Sequence, residues 1–260
     1  MKVKTAGEIR YYQFSALEQA EVAQGVFGRS GGVSTGAYTS LNVSVSTGDT
    51  VENVRENRTR AFHALERDPE SIADLHQVHS AEVVVAEAPR GERENLGQAD
   101  ALVTNRPQVT LFLRFADCVP VLLFDPRRRV VGLAHAGWRG TLLKTPAATV
   151  RAMRAQYGSQ PQDILAGIGP SIGPCHYAVG PEVVEQTRAA FAQGADDLLA
   201  SVNGQYHLNL WAANARALQE IGVEQIEISD LCTACHPDEF FSHRAERGQT
   251  GRFGALIGLR

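Results

Sequence analysis

A chain of 260 residues, 43% hydrophobic and 21% charged, is long enough to bury a sizeable core, which excludes disorder. Its net charge of −4 and pI near 6.1 argue against a dedicated nucleic-acid binder, which carries a basic excess. The opening MKVKTAGEIRYYQF has no apolar signal region and no window suits a membrane span, so the four cysteines are expected as reduced thiols in a cytoplasm.

In chain order, residues 8–27 read as a strand, a short helix and a second strand from Ala23 to Phe27. The loop Gly28-Arg29-Ser30-Gly31-Gly32-Val33-Ser34-Thr35-Gly36 follows. Its backbone N–H groups suit an anion, with Arg29 adding a guanidinium fork, and the alternative is a mobile surface turn. It lacks a P-loop lysine and the spacing of a dinucleotide loop. Ser40-Leu41-Asn42-Val43 reads as leading into a short strand. Asp49 reads as an N-cap opening a helix over 50–66. Residues 74–79 lead into the apolar run 83–86. In an extended segment His79 shares a face with Gln77, while His76 points elsewhere. Residues 99–104 read as a strand that Pro107 breaks.

The stretch Leu111–Thr141 organises the chain. It reads as two buried strands, each ending in a polar cluster. The first delivers Phe115-Ala116-Asp117-Cys118; the second, Val130 to Ala134, delivers His135-Ala136-Gly137-Trp138-Arg139-Gly140. Arg127-Arg128-Arg129 between them reads as a solvated hairpin tip. Helices follow over 145–157, 181–192 and 208–221, the last with Trp211 in the core. Strands are expected over 163–168 and 226–228 and at the glycine-hinged C-terminus. The loop Gly169–Tyr177, with its Gly-Pro breaks, reads as a pocket wall. Strands mixed with helices, without strict alternation, point to an α/β (α+β) layered sandwich of mixed sheets, with residues 1–260 as one domain.

Two constellations carry possible chemistry. Cys232-x-x-Cys235-His236 suggests zinc or redox work. A structural zinc site wants a second ligand pair at similar spacing, however, and Cys175-His176 lies 57 residues earlier, so the spacing argues against it. His79, Cys118 and His135, separated by 39 and 17 positions, each lie at a strand edge. Three ligands with an open fourth position is the pattern of a catalytic zinc. Asp117 would then orient an imidazole, and Arg139 would hold an anion. Alternatively, Cys118 is a thiolate nucleophile with His135 as its base, or the three are unrelated positions.

The motifs GRSGGVS (28–34), SLNV (40–43), LHQVHS (75–80), ADALVT (99–104), ADCVPVLLFDP (116–126), VGLAHAGWRGT (131–141), GIGPSIGPCHYAVG (167–180), DLCT (230–233) and FFSHR with TGR (240–244, 250–252) resemble the YfiH/YlmD-type family. That family has long been labelled multicopper polyphenol oxidase or laccase-domain proteins. The resemblance implies one zinc on His79, Cys118 and His135. It also implies a purine nucleoside phosphorylase acting on adenosine, inosine, guanosine and methylthioadenosine, with adenosine deamination. A copper-dependent laccase activity and a peptidoglycan-editing role are attached to the family too. On this reading Arg29, Arg139 and Arg244 are candidate phosphate holders, and His76, Gln77 and Asn42 candidate contacts to base or ribose, with Asp117 beside them. A multi-copper oxidase needs a histidine-rich cluster, and this chain has 8 scattered histidines; a single His2Cys site can nonetheless take copper. Ala178, Ser80 and Ala245 depart from the family's usual glutamate, glycine and second arginine.

Overall fold

A computed structural model describes residues 1–18, 22–91 and 94–260. Its strands in chain order are β1 (Lys2–Ala6), β2 (Ile9–Gln13), β3 (Val22–Phe27), β4 (Ile72–Ala73), β5 (Val83–Val85), β6 (Ala101–Thr104), β7 (Thr110–Phe115) and β8 (Val119–Asp125). There follow β9 (Val130–Ala136), β10 (Leu165–Ile168), β11 (Ala178–Val179), β12 (Leu199–Val202), β13 (Gln205–Leu208), β14 (Gln225–Ile228) and β15 (Phe253–Leu259). The helices are α1 (Val51–Ala64), α2 (Trp138–Leu142), α3 (Thr145–Tyr157), α4 (Pro181–Ala190) and α5 (Leu210–Gln219).

Two six-stranded sheets carry the fold, ordered β1-β2-β3-β15-β7-β4 and β14-β10-β8-β9-β6-β5, with a small sheet β11-β13-β12 beside them. Both large sheets are mixed. Most neighbours are antiparallel, but β4–β7, β10–β14 and β5–β6 run parallel. The strand period of two explains the layering. Along β8, Val121 and Leu123 face the helices while Leu122 and Phe124 face the other sheet. Leu113, Phe115, Phe253 and Ile257 of the first sheet meet Leu122, Phe124, Val131 and Leu133 of the second in one apolar core. α1 covers the far face of the first sheet, with Phe62 against Phe112 at 5.6 Å between ring centroids. α3 and α5 cover the far face of the second through Val150, Met153, Ala213 and Leu218. The layered sandwich of mixed sheets expected from the sequence is the fold adopted.

The order of elements differs from the sequence reading in places. Three strands fill Leu111–Thr141, not two, because the chain turns at Ala116-Asp117-Cys118. β7 belongs to the first sheet and β8 to the second, so this corner crosses between them. Asp117 takes a left-handed φ of 80° there. Ser40–Val43 forms no strand: Leu41 and Val43 are buried, and their N–H groups reach Arg29 and Arg252 carbonyls singly. The N-cap of α1 is Thr50, which accepts from Asn53 N–H, rather than Asp49. The short helix expected within 8–27 falls partly on residues 19–21, outside the described residues, and Ser15–Leu17 form a bend and turn. Leu208 closes β13, so α5 starts later than expected. The arginine tip is exposed and Trp211 is buried, its Nε1–H donating to Ser171 Oγ at 2.6 Å.

Gly167 on β10 shows how tightly the sandwich is closed. A Cβ there would lie 2.5 Å from the buried Phe14 ring. Gly167→Ala is therefore expected to lower stability by about 1–3 kcal/mol through overpacking. Chemical denaturation checks this, with an unchanged midpoint as the contrary result.

Candidate metal centre and active-site cleft

The corner between the sheets builds the site. Val131, Leu133 and His135 alternate along β9 on its inter-sheet face, so His135 stands at the mouth of the space between the sheets. Its ring lies 5.5 Å from Phe115, the last residue of β7. Cys118 arrives from the corner itself, one position before β8. His79 comes from the loop ahead of β5, with its ring centroid 5.0 Å from that of His135. One ligand atom from each of His79, Cys118 and His135 lies within 4.8 Å of the others. His135 is buried, Cys118 half-buried and His79 exposed, so the group closes inward and opens toward solvent.

Asp100 holds this arrangement together. It is fully buried at the start of β6 and accepts from His135 Nδ1 at 2.8 Å through Oδ1. Its Oδ2 accepts from Ser80 N–H at 2.6 Å, Ser80 Oγ at 2.8 Å and Val78 N–H at 3.2 Å. The loop 78–80 is thus wrapped on one carboxylate, which stabilises His79 in a left-handed φ of 60°. With Nδ1 committed to Asp100, His135 presents Nε2 to a ligand. Burial pushes the Asp100 carboxyl up, but the hydrogen bonds from His135 and Ser80 win and hold it at about 2. Burial likewise disfavours a charged His135, yet Cys118 and Asp100 outweigh it and raise that imidazole to about 9. His79 moves the other way: burial and the nearby His135 lower it.

The carboxylate that orients an imidazole is therefore Asp100, not Asp117. Asp117 instead ties the corner to distant loops, accepting from Thr233 Oγ1 at 2.6 Å, Ser242 Oγ at 2.7 Å and Arg244 N–H at 2.6 Å. Nothing in the sequence distinguishes the two aspartates, since each sits beside a short apolar strand.

A cleft of about 1500 Å³ opens over the three donors. His76, Gln77, Asp117, Arg139 and Arg244 line it, together with Tyr177, His243 and Arg252. The last two lie within or beside quoted motifs, but only the structure brings them to the cleft. Arg139 lies over Trp138 at 4.5 Å, and Arg244 over Tyr177 at 5.2 Å. Tyr177 is held protonated: burial raises its pKa, as does the charge of Cys118. Gln77 lines the cleft with its amide already committed, donating to Arg114 C=O at 2.8 Å and accepting from Arg114 N–H at 3.1 Å. Further along, the buried Asp74 faces Arg58, Arg90 and Arg114, so cationic charge exceeds anionic on the cleft floor.

Arg29 and Asn42 lie outside the cleft lining. Arg29 donates to Thr39 C=O at 3.0 Å, pairs with Glu246 at 3.1 Å and stacks on Phe241 at 4.5 Å. Asn42 is fully buried, donating to Asp49 at 2.9 Å and accepting from Arg252 N–H at 2.9 Å. Both act as pins for the glycine-rich loop and its neighbours.

The donor set suits a borderline-soft metal ion, with two imidazoles, one thiolate and a side open to the cleft. The backbone also leaves room for it. An ideal Cβ on Gly137 would sit 2.8 Å from His79 Nδ1 and 3.0 Å from Cys118 Sγ, so glycine keeps the ligand cradle clear.

Residues 23–260 match the family described as multi-copper polyphenol oxidoreductase laccase. A Deinococcus radiodurans protein named purine nucleoside phosphorylase is 41% identical over 231 residues, covering 89% of this chain and 87% of its own. Bacillus subtilis purine nucleoside phosphorylase YlmD is 36% identical over 250 residues, covering 92% and 89%. The crystal structure of Bacillus licheniformis hypothetical protein YfiH superposes with a TM-score of 0.92 at 35% identity, covering 99% of each chain. This chain belongs to that laccase-like family of YfiH and YlmD proteins.

Proposed function

We propose that the chain is a zinc-dependent purine nucleoside phosphorylase acting on adenosine, inosine, guanosine and methylthioadenosine, with accompanying adenosine deamination. One observation carries this reading: the His79–Cys118–His135 donor set and the guanidiniums of Arg139, Arg244 and Arg252 line a single cleft. The names of the relatives point the same way. In phosphorolysis a phosphate oxygen bonds to C1′ as the C1′–N9 bond breaks. The electron pair leaves on the purine, which takes up a proton. Arg139 and Arg244 hold the phosphate by charge-assisted hydrogen bonds, and Arg252 in the same lining adds positive potential. Tyr177, kept protonated, donates to the purine atom on which charge builds. His76 reaches the base from the exposed rim. Asp117 acts indirectly, fixing the corner that carries Cys118 and the backbone of Arg244. Zinc on the three donors supplies Lewis acidity, and on that ground we extend the reading to deamination.

We place this activity in the cytoplasm; among the described residues no helix is long and apolar enough to cross a membrane. No nucleic acid enters this reading, and copper is the competing metal at the same donors. A second reading rests on the contact between Cys118 and His135, backed by Asp100. Those three side chains also form a thiolate, base and orienting carboxylate for metal-free hydrolysis of a cell-wall precursor.

Metal content measured alongside inosine turnover, with and without phosphate, separates the readings. The phosphorylase predicts zinc in the protein and hypoxanthine release that requires phosphate and stops with a chelator. Turnover indifferent to phosphate sinks it. Activity that survives the chelator but is lost in Cys118→Ser establishes the cysteine hydrolase instead. Phenol oxidation dependent on added copper, without nucleoside cleavage, assigns the cleft to laccase chemistry.

A further inference from the structure

A second cluster of thiols and imidazole lies apart from the three donors, on the loops beyond β10 and β14. Those strands are parallel neighbours, and their pairing continues past their ends: Ser171 bridges Cys232, with Ser171 N–H reaching Leu231 C=O and Thr233 N–H reaching Ser171 C=O. Two segments far apart in sequence therefore arrive side by side. One ligand atom from each of Cys175, His176, Cys232 and Cys235 lies within 4.8 Å of the others. Cys175 Sγ and Cys235 Sγ are 3.5 Å apart. His176 Nδ1 stands 3.3 Å from Cys175 Sγ, 3.4 Å from Cys235 Sγ and 3.8 Å from Cys232 Sγ.

These four separations lie close to the edges expected of a coordination tetrahedron. Zn–S bonds of about 2.3 Å and Zn–N bonds of about 2.0–2.1 Å imply edges of roughly 3.8 Å between sulfurs and 3.5 Å between sulfur and nitrogen. The surroundings are built for the same purpose. Gly173 N–H donates to the buried Cys232 Sγ at 3.2 Å, which stabilises a thiolate. Gly173 has no Cβ, and one there would stand 2.6 Å from the Trp211 ring and 3.1 Å from Cys232 Cβ. Cys235 N–H closes the turn onto Cys232 C=O at 3.1 Å, placing both thiols of the CxxC pair on one side.

We infer that Cys175, His176, Cys232 and Cys235 form a second metal centre, a closed four-ligand site that takes zinc and braces the wall of the cleft. A disulfide between Cys175 and Cys235 would leave His176 and Cys232 without a role in the cluster, whereas a metal employs all four. The brace acts on the site through three contacts. Tyr177 follows His176 directly. Thr233, between the two cysteines of the pair, donates to Asp117. Arg244 donates to the carbonyls of His176 and Ala178, each at 3.3 Å. Sequence spacing argued against this site because the 57-residue gap hid the parallel pairing that closes it.

The inference is independent of the activity proposed above, and zinc stoichiometry separates the two. Reduced full-length protein is dialysed against zinc, freed of excess ion and analysed by mass spectrometry for metals. The expected result is about two zinc ions per chain, falling by about one in Cys235→Ser, by about one in Cys118→Ser and to none in the double variant. Zinc retained by Cys118→Ser and lost on adding Cys235→Ser supports the second centre even if the first fails. Stoichiometry unchanged by Cys235→Ser overturns it. Should that variant not fold, alkylation of the unaltered protein decides: zinc is expected to slow labelling of Cys175 and Cys235 by about tenfold or more relative to chelator-stripped protein. Equal labelling rates, or a Cys175–Cys235 disulfide in the reduced and zinc-treated sample, overturn the inference.

Discussion

Asp100→Asn is expected to weaken metal binding at the His79–Cys118–His135 centre by about 10–100-fold. Asp100 accepts four hydrogen bonds while fully buried. An asparagine can keep its carbonyl oxygen toward Ser80 and Val78, but its NH2 then faces His135 Nδ1. The ring must accept there, which moves the imidazole proton to Nε2 and removes the lone pair a metal needs. In the opposite flip, the NH2 faces the Ser80 and Val78 N–H donors, and the loop carrying His79 loses its anchor. Either arrangement disables one ligand. Ser80→Ala provides the control, since it deletes one donor to Oδ2 and leaves the His135 bond intact. It should change zinc affinity by much less. Competitive titration against a chromophoric chelator measures both variants, and far-UV circular dichroism confirms the fold. Equal affinities for the parent and Asp100→Asn would contradict the assignment of Asp100 as the orienting carboxylate.

How far the sequence could be read depended on the range of the contacts involved. The apolar density of β7 and β9 is local, and so is the polar cluster that follows each; Cys118 and His135 were therefore legible as partners. α1 and α3 were legible for the same reason, α1 through the polar and acidic residues at its start and α3 through Pro146 in its first turn and its apolar face. The corner at Asp117 was not, because the one proline of LFLRFADCVPVLLFD, Pro120, falls inside β8 and leaves a single aspartate at the turn itself, and the switch between sheets depends on Thr233, Ser242 and Arg244 far downstream. The glycine-rich loop misled for the converse reason. Its composition suits an anion, yet the Arg29 fork is satisfied by Glu246 and by a carbonyl at Thr39, and Asn57 accepts Val33 N–H at 2.8 Å. β12 and β13 went unread because they are short and largely exposed, so little hydrophobic pattern marks them. Residues from distant segments meet in both His/Cys clusters and in the cleft, and only the sheet order places them together.

Gly137→Ala tests the geometry of the centre at the level of a single methyl group. Gly137 precedes α2 with φ −69°, a backbone that alanine can adopt, so strain in φ is not the issue. Its effect on helix capping should cost roughly 1 kcal/mol or less, leaving the protein folded. The consequence lies in the ligands, because the new Cβ would stand 2.8 Å from His79 Nδ1 and 3.0 Å from Cys118 Sγ. Neither atom is at the end of a long flexible chain. Cys118 is fixed by the corner and by β8, and His79 by the hydrogen bonds of Val78 and Ser80 to Asp100. Relief therefore requires one ligand to move by several tenths of an ångström, beyond the roughly 0.2 Å that metal bonds tolerate. Misplacement on the scale of 1 Å costs about 100-fold in turnover when reacting groups depend on position. Gly137→Ala is expected to lose metal at this centre and to drop turnover by about that factor, with a metal-free melting temperature close to that of the metal-free parent. If zinc at this centre and turnover both persist, the ligands accommodate the methyl group and Gly137 does not guard the cradle; turnover that persists after the zinc is lost favours the metal-free thiolate reading of Cys118 instead.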